Sequence, residues 1–83
     1  MAKKTPATHM LVVRHHDRPG VLAHVFLNLR AGSINVQETE NVIFEGAKAA
    51  VARINLDAAP PPALLKQIQD GNRDILDLQL VTI

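Results

Sequence analysis

The side chains best suited to chemistry are clustered in one short segment, which reads HHDRPG from His15 to Gly20. Its imidazole, carboxylate and guanidinium groups can move protons, bind a transition metal or hold a small charged ligand. The chain has no cysteine, and Ser33 is its only serine, so few other nucleophiles are available. The segment is therefore a catalytic cluster, a metal site or the rim of a ligand pocket.

The spacing of these residues argues against catalysis and against a metal site. Adjacent side chains of a strand point to opposite faces, so His15 and His16 cannot readily bind the same ion. His9 lies about 20 Å from His15 along an extended strand, at roughly 3.3 Å per residue. Ser33 has the surroundings of a residue entering a strand and no adjacent base. We expect no enzyme activity in this chain alone, and we expect His9, His16 and His24 to be solvated surface residues.

The composition indicates one small domain with a modest core. A chain of 83 residues buries only about 60% of the surface that its unfolded form exposes, so we expect an oligomer. Nine basic and eight acidic residues nearly balance, and Phe26 and Phe44 are the only aromatics. A nucleic-acid interface would need a basic face or stacking aromatics. No apolar run approaches a membrane span and no nicotinamide-binding motif is present, so we expect a cytoplasmic protein without nucleic-acid, membrane or cofactor partners.

Apolar periodicity divides the chain into four strands and two helices. Continuous or alternating apolar residues predict strands, whereas apolar residues three and four apart predict helices. Proline at a helix start and glycine at its end give the boundaries of both helices. In chain order, the predicted elements are strand 9–16, helix 19–32, strand 33–44, strand 47–57, a helix within 58–72 and strand 73–83.

Residue types also predict the conformation of the connections. Gly32 is expected to end the first helix with a positive φ angle. Glu45 and Gly46 are expected to form the turn between the second and third strands. The inward-facing residues of the last strand are expected to be Leu76, Leu78 and Leu80.

The element order β-α-β-β-α-β predicts an α+β ferredoxin-like sandwich. Right-handed crossovers place both helices on one face of a four-stranded antiparallel sheet with strand order 4-1-3-2. Residues 1–8 are small and polar and predict a flexible leader or a linker remnant, so that the folded domain covers residues 9–83. The second strand is apolar at its ends and polar in its middle, which is typical of an edge strand or of one side of a subunit contact.

The segments RHHDRPGVLAHV, GSINVQE and AVARINLD resemble an ACT domain, in particular the C-terminal regulatory domain of D-3-phosphoglycerate dehydrogenases. The resemblance extends over residues 9–83 and includes an asparagine fifteen residues after Gly20 and the closing strand ILDLQLV. It implies a homodimer in which two sheets join side by side and hold an amino-acid effector between them. In the dehydrogenases the effector is L-serine, and the domain gives allosteric feedback control of serine biosynthesis.

Carried over by position, the resemblance implies a ligand site shared between two copies. Asp17 departs from the asparagine of serine-inhibited members. The partner copy would supply the asparagine of the second strand. The implied ligand-binding residues are His15, Asp17, Pro19, Gly20 and Val21 from one copy and Asn35 from the other.

The same residues suit a zwitterion on chemical grounds. Gly20 lacks a Cβ, so a ligand can approach the backbone where the first helix begins, and the free N–H groups there favour a carboxylate. Asp17 can accept a hydrogen bond from an ammonium group. Asn35 can both donate and accept, and His15 can bond a hydroxyl or a carboxylate.

Structural alternatives stay open for each of these residues. Asp17 can cap the first helix, Pro19 and Gly20 can form a plain turn, and Asn35 can simply begin a strand. For the whole chain, the alternatives are an assembly module that dimerises without a ligand and an ACT-type sensor of another amino acid or a metal. Any dehydrogenase chemistry would belong to separate catalytic domains. We expect two copies to join along the edges of the first strand and the first helix.

Overall fold

The computed structural model describes residues 6–43 and 49–83, and these contain four strands and two helices in the predicted order. The turn predicted at Glu45–Gly46 lies outside the described residues. The second strand begins three residues later than predicted. In chain order, the elements are β1 (His9–His16), α1 (Val21–Ala31), β2 (Val36–Ile43), β3 (Ala49–Leu56), α2 (Pro62–Asp70) and β4 (Ile75–Thr82).

The four strands form one antiparallel sheet in the order β2-β3-β1-β4. This is the predicted order 4-1-3-2 counted from the other edge, and with the two helices it confirms the α+β ferredoxin-like fold. β1 and β3 are central, while β2 and β4 form the edges. The prediction that the second strand is an edge strand is therefore confirmed.

The core lies between the sheet and the helices because one face of each central strand is apolar. Leu11 and Val13 of β1 are fully buried there. α1 contributes Val25 and Leu29, and α2 contributes Ile68, all fully buried as well. Full burial of such a side chain contributes roughly 1.5–3 kcal/mol. This packing fixes β1 against α1 and so positions the HHDRPG segment that connects them.

Gly32 is the C-cap residue of α1, as predicted, but it does not adopt the positive φ angle open to glycine. Its φ angle is −86°, and the positive φ belongs to the next residue, Ser33, at 61°. The Gly32 N–H donates to the Asn28 carbonyl at 3.1 Å, and the Ser33 N–H donates to the Arg30 carbonyl at 3.0 Å. The helical hydrogen bonding thus continues through Gly32, and the chain reverses one residue later.

The first residues of β4 differ from the predicted alternation of inward-facing and outward-facing side chains. Its pairing with β1 shifts register between Arg14 and His15, so that Ile75 becomes the partner of His15. Ile75 is buried, whereas Leu76 is 38% exposed. The prediction that Leu76 faces inward is therefore wrong, because an irregularity of this kind moves the following side chains to the other face.

Candidate functional site

His15 is the buried polar residue of the described part of the chain, with 2% of its surface exposed. Its Nδ1 lies 2.9 Å from the His16 carbonyl oxygen, and its Nε2 lies 3.0 Å from Asn41 Oδ1. A carbonyl only accepts, so Nδ1 carries the proton; in the neutral ring, Nε2 then accepts from the Asn41 amide turned to present its N–H. Both ring nitrogens therefore have partners within the chain.

The side chain of His15 crosses β3 to reach Asn41. His15 pairs with Ala50 of β3, and Asn41 of β2 pairs with Ala52. Both alanines are fully buried on the face that carries the helices. Their methyl groups leave room for the imidazole above the strand. The small residues of β3 therefore allow a side chain of β1 to contact the edge strand.

Two of the other histidines connect separate elements. The Nδ1 of His16 lies 3.3 Å from Asp74 Oδ1, and the Nε of Arg18 lies 3.4 Å from the same oxygen. The His16 N–H also donates to the Asp74 carbonyl at 2.8 Å. His24 bonds from Nε2 to the Ile68 carbonyl at 2.8 Å, which joins α1 to α2. His16, with 41% of its side chain exposed, lies at the surface as expected, and His24 is half-buried, but both are hydrogen-bonded to other elements.

The turn into α1 is set by Gly20, whose φ angle of 86° lies in the left-handed region. Gly20 is the N-cap residue and no side chain caps the helix, so the alternative in which Asp17 is the cap is wrong. Asp17 and Pro19 are exposed. Val21 is 1% exposed and belongs to the core, so only its backbone can face a ligand. The carboxylate of Asp17 is thus the group of this turn best placed for a ligand.

Asn35 lies at the opposite end of the sheet from the other five predicted site residues. It precedes β2, whose first residue pairs with Leu56, and Leu56 pairs with His9. His9 and His15 are separated by roughly 20 Å at about 3.3 Å per strand residue. A single chain does not bring Asn35 to the HHDRPG turn. A ligand shared by both regions requires a second copy.

Hydrogen bonds hold Asn35 to Asp57 at the start of β2. The Asn35 N–H donates to Oδ1 of Asp57 at 3.0 Å, and its Nδ2 donates to Oδ2 at 2.9 Å. The Asp57 N–H returns a bond to the Asn35 carbonyl at 3.2 Å. A carboxylate only accepts, so the amide nitrogen must face Asp57. The Asn35 side chain therefore keeps its Oδ1 acceptor and the second of its two Nδ2 hydrogens for a ligand.

A groove of about 450 Å³ lies beside Asn35, between α1 and β2. Small-ligand pockets usually occupy roughly 300–1,000 Å³ and combine an apolar lining with a few polar groups. The lining residues are Phe26, Arg30, Ile34, Asn35, Val36 and Thr39. Of these, the sequence predicted only Asn35 as a site residue, because the lining is distributed over a helix, a loop and a strand.

β2 leaves one edge of the sheet open next to this groove. β1 is paired on both sides, so the expectation that two copies join along the first strand is wrong. Leu27 of α1 is 67% exposed, and Val36 and Ile43 of β2 are 37% and 55% exposed. An open strand edge flanked by exposed apolar side chains is typical of a pairing surface.

Among the described residues, Glu38, Glu40 and Arg53 lie together around a small pocket of about 170 Å³. Arg53 Nη1 lies 3.3 Å from Glu40 Oε1 on the sheet face without helices. Within residues 6–43 and 49–83, no three side chains of His, Asp or Glu are placed to hold a metal ion. No helix in those two ranges is long and apolar enough to cross a membrane.

The element order and strand order define a small α+β domain with the ferredoxin-like fold. No family model matches the sequence, and no curated protein matches it. Similar chains are found among solved structures, so the likeness to known proteins is a likeness of fold.

Three solved structures are similar over most of this chain. The C-terminal domain of the MgtC protein from Mycobacterium tuberculosis has a TM-score of 0.72 at 11% identity, covering 100% of this chain and 94% of that one. An unknown protein from Galdieria sulphuraria has a TM-score of 0.72 at 11% identity, over 93% of this chain and 44% of that one. GqqA, described as a novel type of quorum quenching acylase, has a TM-score of 0.65 at 18% identity, over 98% and 31%. At these identities the likeness shows the fold, and the specific resemblance to the dehydrogenase regulatory domain is not confirmed.

Proposed function

We propose that this chain is a regulatory domain that binds an amino acid at the interface of a side-by-side homodimer. The observation that carries the proposal is the groove of about 450 Å³ at the open β2 edge, with Asn35 in its lining. A ferredoxin-like fold supports many functions, so the fold alone would not be enough. The groove adds a concave apolar surface with a cation, an amide and a hydroxyl, which together suit a small zwitterion.

Antiparallel pairing of two β2 strands would complete the site. A two-fold axis between the strands sets the start of one β2 beside the end of the other. Asn35 precedes the start, while Ile43 at the end pairs with Ala50, the partner of His15. The groove of one copy would then lie near the HHDRPG turn of its partner. Asp17 and the backbone at Gly20 would contact the ligand from that side.

His15 has an indirect role in this proposal. Its two ring nitrogens are occupied by His16 and Asn41, so it positions the edge strand rather than binding the ligand. A ligand that favours one arrangement of the two copies changes their relative orientation, with a typical coupling of roughly 1–3 kcal/mol. The resemblance favours L-serine as the effector and an enzyme of the phosphoglycerate dehydrogenase type as the regulated partner. The catalytic domains of that partner would carry out all of the chemistry.

A second candidate function is a module that dimerises without any ligand. The exposure of Leu27, Val36 and Ile43 favours it, because these side chains could be covered by a second copy alone. In that case the groove would be filled by residues of the partner. The two functions share the interface and differ only in whether the dimer binds an amino acid.

Calorimetric titration of the purified chain with L-serine and then with a panel of other amino acids tests the proposed function. We expect saturable binding of at least one amino acid, with one ligand per subunit or one per dimer. The concentration must come from peptide-bond absorbance, since the chain has no Trp or Tyr. If a folded dimer binds no amino acid at millimolar concentration, the module without a ligand becomes the better account.

Replacing Ile43 with lysine is expected to weaken dimerisation at least tenfold, because a charge would be buried where two β2 edges meet. Sedimentation equilibrium measures the dissociation constant. Ile83→Lys is the matched control, since Ile83 is 66% exposed against 55% for Ile43 and follows the opposite edge strand. Equal weakening by both variants, or by the Ile83 variant alone, would contradict pairing through β2.

A further inference from the structure

The residues that line the α1–β2 groove indicate which kind of ligand side chain the groove can bind. Phe26, Ile34 and Val36 form the apolar part of the lining. Ile34 is 6% exposed and so forms a fixed floor, whereas Val36 is 37% exposed and forms the outer wall. A ligand with only a hydroxymethyl side chain would leave this apolar surface in contact with water. A branched or unbranched apolar side chain would cover it.

The polar groups of the groove fit the two ends of an amino acid. Arg30 is exposed and lines the groove, and it forms no ion pair with the described residues. A guanidinium group in this position suits a carboxylate. One Nδ2 hydrogen of Asn35 is used by Asp57, and its Oδ1 remains as an acceptor at the groove. That acceptor suits an ammonium group and cannot bind a carboxylate.

We infer that the effector of this domain is an α-amino acid with an apolar side chain, of about the size of valine, leucine or methionine, rather than L-serine. The side chain lies on Phe26, Ile34 and Val36, the carboxylate meets Arg30, and the ammonium group donates to Asn35 Oδ1. This inference rests on the proposed function, since it names the ligand class of the same site. It departs from the resemblance, which favours L-serine.

Calorimetric titration with L-leucine, L-serine and two analogues of leucine tests the ligand class. We expect L-leucine to bind at least tenfold more tightly than L-serine, because one methylene group in an apolar site changes affinity by roughly tenfold or more. 4-Methylpentanoate lacks the ammonium group and isoamylamine lacks the carboxylate. Both are expected to bind at least tenfold more weakly than L-leucine.

Two variants with matched controls locate the ligand in the groove. Val36→Ser is expected to reduce affinity for L-leucine at least fivefold and to leave the affinity for L-serine unchanged. Leu76→Ser is its control, because Leu76 is 38% exposed against 37% for Val36 and lies on the opposite edge strand. Arg30→Gln is expected to reduce affinity at least tenfold, with Arg73→Gln, another exposed arginine, as control.

Each outcome separates the inference from the proposed function. Tighter binding of L-serine than of any apolar amino acid overturns the inference and leaves the proposed function standing. Equal effects of Val36→Ser and Leu76→Ser, with L-leucine bound, overturn the placement of the side chain in the groove. Absence of binding by every amino acid to a folded dimer overturns both. A shift in dimerisation by Val36→Ser without any ligand effect shows that the partner copy fills the groove.

Discussion

Asn41→Leu is expected to lower the free energy of unfolding by roughly 1–3 kcal/mol, the usual cost of a buried polar group that loses its hydrogen-bond partner. His15 is 2% exposed, and Asn41 is its side-chain partner at Nε2. For a domain of this size, each kcal/mol corresponds to roughly 4–8 °C in Tm. Thermal unfolding followed by circular dichroism measures the change.

A double-mutant cycle separates this contact from the general effect of substitution. The double variant His15→Leu/Asn41→Leu is expected to be more stable than Asn41→Leu alone, because removing both polar partners removes the unsatisfied nitrogen. Gln79→Leu serves as a control for adding leucine at an exposed strand position. Additive losses in the double variant would show that His15 and Asn41 do not stabilise each other.

Asp57→Ala is expected to weaken amino-acid binding at least tenfold and to lower the free energy of unfolding by roughly 0.5–1.5 kcal/mol, so that the domain stays folded. The carboxylate of Asp57 accepts one hydrogen bond from the Asn35 backbone N–H and one from its Nδ2, and the second fixes the orientation of the side-chain amide. Without it the amide can rotate and present its N–H groups, which repel an ammonium ligand. Titration calorimetry and thermal unfolding of the same samples give the two quantities.

Two further variants identify the cause of the loss. Asn35→Ala is expected to weaken binding to a similar extent, and the double variant Asn35→Ala/Asp57→Ala no further than Asn35→Ala alone, because Asp57 acts through Asn35. Asp70→Ala, at an exposed carboxylate on α2, is the control for loss of a negative charge. Additive losses would mean that Asp57 contacts the ligand directly.

The architecture could be predicted from the sequence because each element carries its own periodic signal. β3 illustrates this: Ala50, Ala52 and Ile54 occupy every second position, and all three are fully buried. The prediction of which side chains face inward was wrong where the conformation of one strand depends on its pairing with a neighbouring strand. The burial of Ile75 in place of Leu76 follows from a register shift in the β1–β4 ladder, and no local pattern in β4 encodes that shift.

The candidate site was harder to predict, because side-chain contacts over long sequence distances determine it. His15 is separated from Asn41 by 26 positions, and Asn35 from Asp57 by 22. The residue types at His15 and Asn35 indicated that both could bind a ligand. They could not indicate that the His15 nitrogens are occupied, or that Asp57 uses one donor of Asn35. The apolar groove residues, such as Phe26, have no signature beyond their core-like periodicity.

The imidazole of His15 links β1 to β2 across β3 with one side-chain contact, in addition to the backbone ladder. β2 has hydrogen-bonded neighbours within the chain on one side only, and edge elements open more readily than central ones. Peeling β2 from β3 would break the contact with Asn41 and bring water to a buried ring. Movement of the edge strand would consequently shift the last residues of β1, from which the loop into α1 departs. A single side-chain contact therefore connects the open edge of the sheet to the residues that lead into its first helix.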